Sequence, residues 1–235
     1  MFWRSGKVNG IHLVVNSVNL KGVTVNRRPS GTHHGDLRNA LEQAALALVT
    51  ERGPHGFTLA EACRRAGVSV SAPYKHFADR DALLVSLALK GYQEQQRRYR
   101  AALASSTDPA EQLAAFASAY VRFAAEERAL FDITFLAGLD KGRHPELAAA
   151  GSALHDDLMP VTSRVTADPD AAFDLLVRVS AAAHGLALFL QQDMLPGAWN
   201  TLATVEAQAA RTARDLVGHA TETTSTGGRH VHRDR

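Results

Sequence analysis

From Asp36 onward, apolar residues recur at three- and four-residue steps through Leu37, Leu41, Ala44, Ala45, Leu48 and Val49. This is the repeat of a helix with one buried face. Gly53-Pro54 stops it. Thr58 then stands where an N-cap belongs, with Glu61 three residues on, a capping box that opens a short helix to Ala66. Gly67 supplies the break after it. Ser69 or Ser71 begins a third short helix carrying Tyr74, Lys75, His76 and Phe77. Pro73 lacks an amide hydrogen, which only a first helical turn tolerates, so Ser71 is favoured as the cap. Asp79 caps a fourth helix, with Leu83, Leu84, Leu87 and Tyr92 on its inner side.

The stretch from about 101 to 221 is rich in Ala and Leu, and Asp108-Pro109 and Asp168-Pro169 each read as an N-cap followed by a first-turn proline. Amphipathic runs follow: Leu113, Phe116, Tyr120 and Phe123; Phe131, Phe135 and Leu136; Leu147, Leu154 and Leu158. A long helix is expected from Phe173 to Leu195, and a last one from Thr201 to His219, separated by Pro196-Gly197. Strand-like alternation occurs only in Ile11–Leu20. The expected fold is all-α. Four stretches are expected: a disordered or mis-started extension over 1–32, a small helical domain over 33–80, a larger one over 81–221, and a disordered tail over 222–235. The apolar stretch near the N-terminus is interrupted by His12, Asn16, Ser17 and Asn19 and is followed by no small-residue cleavage site, unlike a secretory signal.

Composition is that of a globular chain, 46% hydrophobic and 21% charged. No uninterrupted run of about 18 apolar residues occurs, so no membrane-spanning helix is expected. Cys63 is the only cysteine, which excludes a disulfide framework and a multi-cysteine zinc site and suits a cytoplasmic location. The formal charge of +2 is unevenly spread. Residues 1–100 hold 15 Lys/Arg against 7 Asp/Glu, a net of +8, and the remainder holds 11 against 17, a net of −6. A basic first part on an acidic remainder fits a nucleic-acid-binding module joined to a non-binding one; segregated solvated charge fits equally.

Residues 58–77 have the spacing of a helix-turn-helix, whose second helix is short and polar and suited to a major groove rather than a core. An ordinary helical hairpin has the same spacing. Six further segments decide between them: His33-His34-Gly35-Asp36-Leu37-Arg38, Ala44-Ala45-Leu46, Glu51-Arg52-Gly53, Ala66-Gly67-Val68-Ser69, Tyr74-Lys75-His76-Phe77 and Arg80-Asp81-Ala82-Leu83-Leu84. Together they closely resemble the DNA-binding domain of the tetracycline-repressor family, over about residues 33–95. The resemblance implies an all-helical homodimer whose N-terminal helices bind duplex DNA and whose larger domain binds a small effector. It implies DNA-facing roles for Thr58, Ser69, Val70, Ser71, Ala72, Tyr74, Lys75, His76 and Arg80. Tyr74 and His76 match backbone-contacting positions, and Arg80 a basic clamp on phosphate. Val70, Ser71 and Ala72 fall at the base-reading start of the recognition helix, where small side chains favour methyl and hydroxyl contacts. Pro73 departs from the usual pattern. Arg27 and Arg28, ahead of the domain, suit either solvated disorder or an arm in the minor groove.

The second domain resembles the family less closely. His184-Gly185 is similar to a Trp-His-Gly signature of some relatives, with Ser180 where the tryptophan is expected. An effector site, for a mostly apolar molecule, is expected from Phe116, Tyr120, Phe123, Phe131, Phe135, Met159, His184 and Phe189; a solid aromatic core is the other reading of the same residues. The long helix, through Phe173, Leu176, Val177, Val179, Leu186, Leu188, Phe189 and Leu190, and the last one, through Leu202, Val205, Ala209, Thr212, Ala213 and Leu216, are expected to pair with their copies. No metal and no cofactor is called for. His155-Asp156 spells the dipeptide of metal-dependent phosphohydrolases, and a metal-dependent hydrolase would need His144 or His184 beside it. A helical scaffold without DNA activity would leave the basic first hundred residues unexplained. The expectation is a DNA-binding regulator, a repressor rather than an enzyme.

Overall fold

A computed structural model describes residues 34–227. The strand-like stretch at Ile11–Leu20 and the Arg27-Arg28 pair lie outside the described residues, as does most of the tail. Among the described residues there are eight α-helices and no strand: α1 (His34–Arg52), α2 (Leu59–Ala66), α3 (Arg80–Leu103), α4 (Pro109–Glu126), α5 (Arg128–Leu136), α6 (Pro145–Thr162), α7 (Pro169–Gln191) and α8 (Leu202–Gly227).

The helix starts follow from local chemistry. Asp79, Asp108 and Asp168 each accept a bond from a first-turn amide: Asp79 from Ala82, Asp108 from Ala110 and Asp168 from Asp170. The Thr58–Glu61 capping box is complete, and Gly67 ends α2 at φ 68°, a left-handed conformation that glycine adopts without strain. Two elements add to or depart from the sequence expectation. The fourth helix, for which the sequence set no end, runs on to Leu103, because Gln95 and Tyr99 keep its inner face filled. The third is not an α-helix: only Pro73–Lys75 turn, as a single 3₁₀ turn. Pro73 heads this turn, and its carbonyl accepts from both His76 and Phe77, which closes it.

Two hydrophobic cores result, and α3 belongs to both. Its first half puts Leu83, Leu84 and Leu87 against Leu41, Leu48 and Phe77. Its second half puts Tyr99 among Leu113, Phe116 and Phe123. At about 1.5–3 kcal/mol for each fully buried side chain of this size, either set alone fixes the helix. The short α5 is shared in the same way, with Ile133 in the first core and Phe131 in the second. It lies close on α3 at Gly91, where an added Cβ would come within 2.6 Å of Thr134 Oγ1.

In the larger core α4 is surrounded by α3, α7 and α8. Val205, Ala209 and Ala213 of α8, and Leu176 and Val179 of α7, are buried here. Val205, Ala209 and Ala213, expected at an interface between copies, are thus consumed within the chain, while Leu176 and Val179 form the side of α7 that faces the core. What α7 leaves exposed is Phe173, Val177 and Phe189. By length and composition alone, Pro169–Gln191 is long and apolar enough to cross a bilayer, a test that the core helix of a helical body also passes. Its apolar character comes from alanines and leucines spread between polar residues rather than from an unbroken run, and its inner face packs in the core.

Candidate functional site

The turn after α2 is presented outward. Val70 and Tyr74 are 49% and 62% exposed, unusual for side chains of this size in a folded chain, and Ser69, Ser71 and Lys75 are exposed beside them. Ala72 and His76 are half-buried, while Pro73 and Phe77 point inward as anchors. Ser69 and Ser71 face each other across 3.2 Å between hydroxyls. Tyr74 with its neighbours thus offers an aromatic ring, hydroxyls and a cation on one rigid turn, groups suited to phosphate and base edges.

Other sequence-predicted residues have their hydrogen bonds committed elsewhere. Thr58 Oγ1 accepts from the Glu61 amide at 3.2 Å and donates to the Glu61 carboxylate at 3.1 Å, so its hydroxyl works as a cap. Arg80 bends back over the Phe57 ring at 5.2 Å, donates to the Pro54 carbonyl, and pairs with Asp81 at 3.0 Å. It therefore pins the α1–α2 connection to the start of α3. Arg52 and Arg65 pair with Glu61 and Glu51. Among the described residues Arg64 and Lys75, both exposed, have no such carboxylate.

The charge division is also sharper than a cut at residue 100 suggests. Arg97, Arg98 and Arg100 belong to the second half of α3, where Glu94, Glu126, Glu127 and Asp157 hold them. They neutralise the body rather than adding to the DNA-facing charge. Glu42 was missed by sequence reasoning because it interrupts an apolar helix face and reads as solvent-exposed. It is only 1% exposed and receives Arg38 Nε at 3.2 Å, Ser86 Oγ at 2.8 Å and Lys90 Nζ. Burial alone would raise its pKa, but the bonds from Lys90, Ser86 and Arg38 outweigh that and hold the carboxyl below its usual value.

In the body the aromatic residues converge. Tyr120 lies against Phe116, Phe131, Phe135 and His184 at centroid distances between 6.0 and 6.2 Å. His184 stacks on Phe131 at 5.4 Å and meets Phe135 edge-on at 5.1 Å. The Tyr120 hydroxyl and His184 Nδ1 share a hydrogen bond of 2.9 Å. Burial lowers the His184 pKa, which favours the neutral ring. Phe123 completes the cluster through Phe131. Met159 packs at the edge of the same core, and Phe189 stands 42% exposed on α7, outside the ring cluster. Phe135 is 39% exposed and lines a cleft of about 200 Å³ with Tyr92, Thr134 and Lys141.

His155 and Asp156 are exposed on α6, apart from His144, which pairs with Glu146, and from His184, which is engaged by Tyr120. Among the described residues no three His, Cys, Asp or Glu side chains stand together as metal ligands.

An outward helix-turn-helix on a helical body is the arrangement of a DNA-binding regulator, and comparisons with known proteins agree. The family model for bacterial regulatory proteins of the tetR family matches residues 42–87, and one for the tetracyclin repressor-like C-terminal domain matches residues 113–222. The chain belongs to the tetR family of transcriptional regulators. No curated protein matches it. Among solved structures, a protein of unknown function from Rhodococcus sp. RHA1 is 29% identical over 80% of this chain and 98% of its own, with a TM-score of 0.64. The tetR-family regulator PfmR from Thermus thermophilus is 23% identical over 76% of this chain and 93% of its own, at a TM-score of 0.56. The regulator FadR from Bacillus subtilis, solved in complex with stearoyl-CoA, is 15% identical over 76% of this chain and 97% of its own, at 0.60. The last two show the fold alone.

Proposed function

We propose that the protein is a cytoplasmic, ligand-responsive repressor that binds a two-fold operator as a homodimer and releases it when an apolar effector enters the body. The observation that carries this reading is the position of α5. Ile133 sits in the core beneath the DNA-facing turn, while Phe131 and Phe135, on the same two and a half turns, touch His184. A molecule that parts Phe135 from His184 must move α5, and with it the packing under the turn. The partly open Phe135 cleft is the point of entry this supports, with Tyr120 and His184 as the polar groups that orient the effector. The fold shared with FadR, solved with stearoyl-CoA, makes acyl chains the first class to try. Phe173 and Val177, one turn apart, give α7 an exposed apolar patch for a second copy.

Duplexes selected by the protein from a random pool test the reading. Affinity should fall steeply with salt as phosphate contacts release counterions. Lys75→Ala should weaken selected and scrambled duplexes alike and reduce the salt slope by about 1. Changes at Ser71 should alter sequence preference instead. Acyl-CoAs and other apolar compounds should raise the melting temperature and lower operator affinity together; a stabilising compound that leaves DNA affinity unchanged would remove the switch.

A further inference from the structure

We infer that Glu42 is a positioning residue for sequence reading: it holds the Arg38 guanidinium on the Phe77 ring and so fixes the orientation of the Tyr74–His76 turn. This rests on the reading that the turn faces DNA.

Three observations meet here. Arg38 lies over Phe77 with its guanidinium carbon 5.2 Å from the ring centre, and Phe77 is the buried residue directly after the turn. Arg38 is half-exposed and could leave that ring for water, but two bonds hold it: Nε to Glu42 at 3.2 Å and Nη2 to Ser86 at 2.7 Å. Ser86 Oγ in turn donates to Glu42 at 2.8 Å. Glu42 is therefore the common acceptor of a network that ties α1, α3 and the turn together. Lys90 supplies the second positive charge that lets a carboxylate remain ionised at 1% exposure. An apolar residue at position 42 would fill the same space but leave Arg38 held by Ser86 alone. The arrangement thus exchanges an apolar core position for a directional one.

The turn is where such control matters. A full helix would be oriented by its own hydrogen bonds and by several packed side chains. A single 3₁₀ turn has two inward anchors, Pro73 and Phe77. Freeing the cation above Phe77 lets the turn rock, which costs contacts with base edges more than contacts with phosphates, because base contacts demand the tighter geometry.

The experiment uses Glu42→Gln, which keeps the volume and can still accept from Ser86. Affinities are measured for the duplex selected by the wild-type chain and for a scrambled duplex of equal length. The expected result is a ratio of the two lowered by about tenfold, with scrambled-duplex affinity kept or raised. A loss of this size is that of one hydrogen bond to a charged group. Arg38→Ala should lower the ratio equally, and the double variant should lower it no further. Should Glu42→Gln not fold, Glu42→Leu with Arg38→Ala provides the same comparison. An unchanged ratio in folded Glu42 variants, or additive losses in the double variant, overturns the inference. Tyr74→Ala separates it from its premise. Undiminished DNA binding there overturns the role of the turn and this inference with it; weakened binding there, with an unchanged ratio in the Glu42 variants, overturns this inference alone.

Discussion

His55, in the connection after α1, and Leu136, at the end of α5, are joined by a hydrogen bond of 3.0 Å from the imidazole Nε2 to the backbone carbonyl. The bond spans a large sequence distance and links the segment that Arg80 also grips, through the Pro54 carbonyl, to the helix that carries Phe131 and Phe135. His55→Ala removes this hydrogen bond, a loss of about 1 kcal/mol. The melting temperature should drop by about 2–4 °C for a chain of this size. Amide exchange should quicken in residues 53–57 and not in α8. Unaltered exchange in that connection would show that other contacts hold it.

The Tyr120–His184 pair gives a pH signature. Burial depresses the His184 pKa in the folded chain. The unfolded chain therefore takes up this proton first, and stability falls as the pH drops below about 6.5, the ordinary histidine value, toward the folded one. His184→Phe should flatten that part of the stability profile between pH 7 and 5.5. Tyr120→Phe, which keeps the ring and removes the bond, should cost about 1 kcal/mol by chemical denaturation.

Glu94 acts in the opposite sense. Its hydrogen bond from Arg97, with a further one from Arg98, lowers its pKa from 4.5 to about 2. The stability it contributes is complete above pH 4.5 and is lost as the pH falls toward 2. Arg97 is largely exposed, so solvent screening reduces the contribution to below about 1 kcal/mol. Denaturation of Glu94→Gln should show a smaller loss between pH 5 and 2.5 than the wild type.

The exposed patch of α7 predicts assembly. Val177→Asp places a carboxylate among Phe173 and its neighbours and should convert a dimer into a monomer by light scattering at micromolar concentration. The monomer should keep its helical content, because Val177 is 46% exposed and outside the core. A wild-type chain already monomeric under these conditions would remove the two-half-site operator.

Helix starts were legible because caps are short-range chemistry: Thr58 with Glu61, Asp79, Asp108 and Asp168 act within their own first turns. The convergence of Phe116, Tyr120, Phe131, Phe135 and His184 was legible as a set of apolar faces, though not the Tyr120–His184 bond, which joins different helices. The turn at Pro73–Lys75 was harder to read, because whether a proline opens a helix or only a single turn depends on what anchors Phe77. Assignment of Val205, Ala209 and Ala213 failed for a related reason. Periodicity marks a buried face but does not say whether α4 or a second copy covers it. Glu42 drew no reading because a lone glutamate looks solvated, and the bond from Arg80 to the Pro54 carbonyl joins residues too far apart in sequence for spacing to reveal it.

The continuity of α3 through both cores has a geometric consequence. Its 24 residues extend about 36 Å at 1.5 Å each. A tilt of only about 5° at the Leu103 end would carry Arg80 by about 3 Å, as far as a hydrogen bond is long. In a two-fold dimer the opposite swing of the other copy would double the change in spacing between the reading turns. In the dimer proposed above such a rod would act as a displacement amplifier: a side-chain shift too small to disturb the body would still carry the two turns out of step with successive grooves of the duplex.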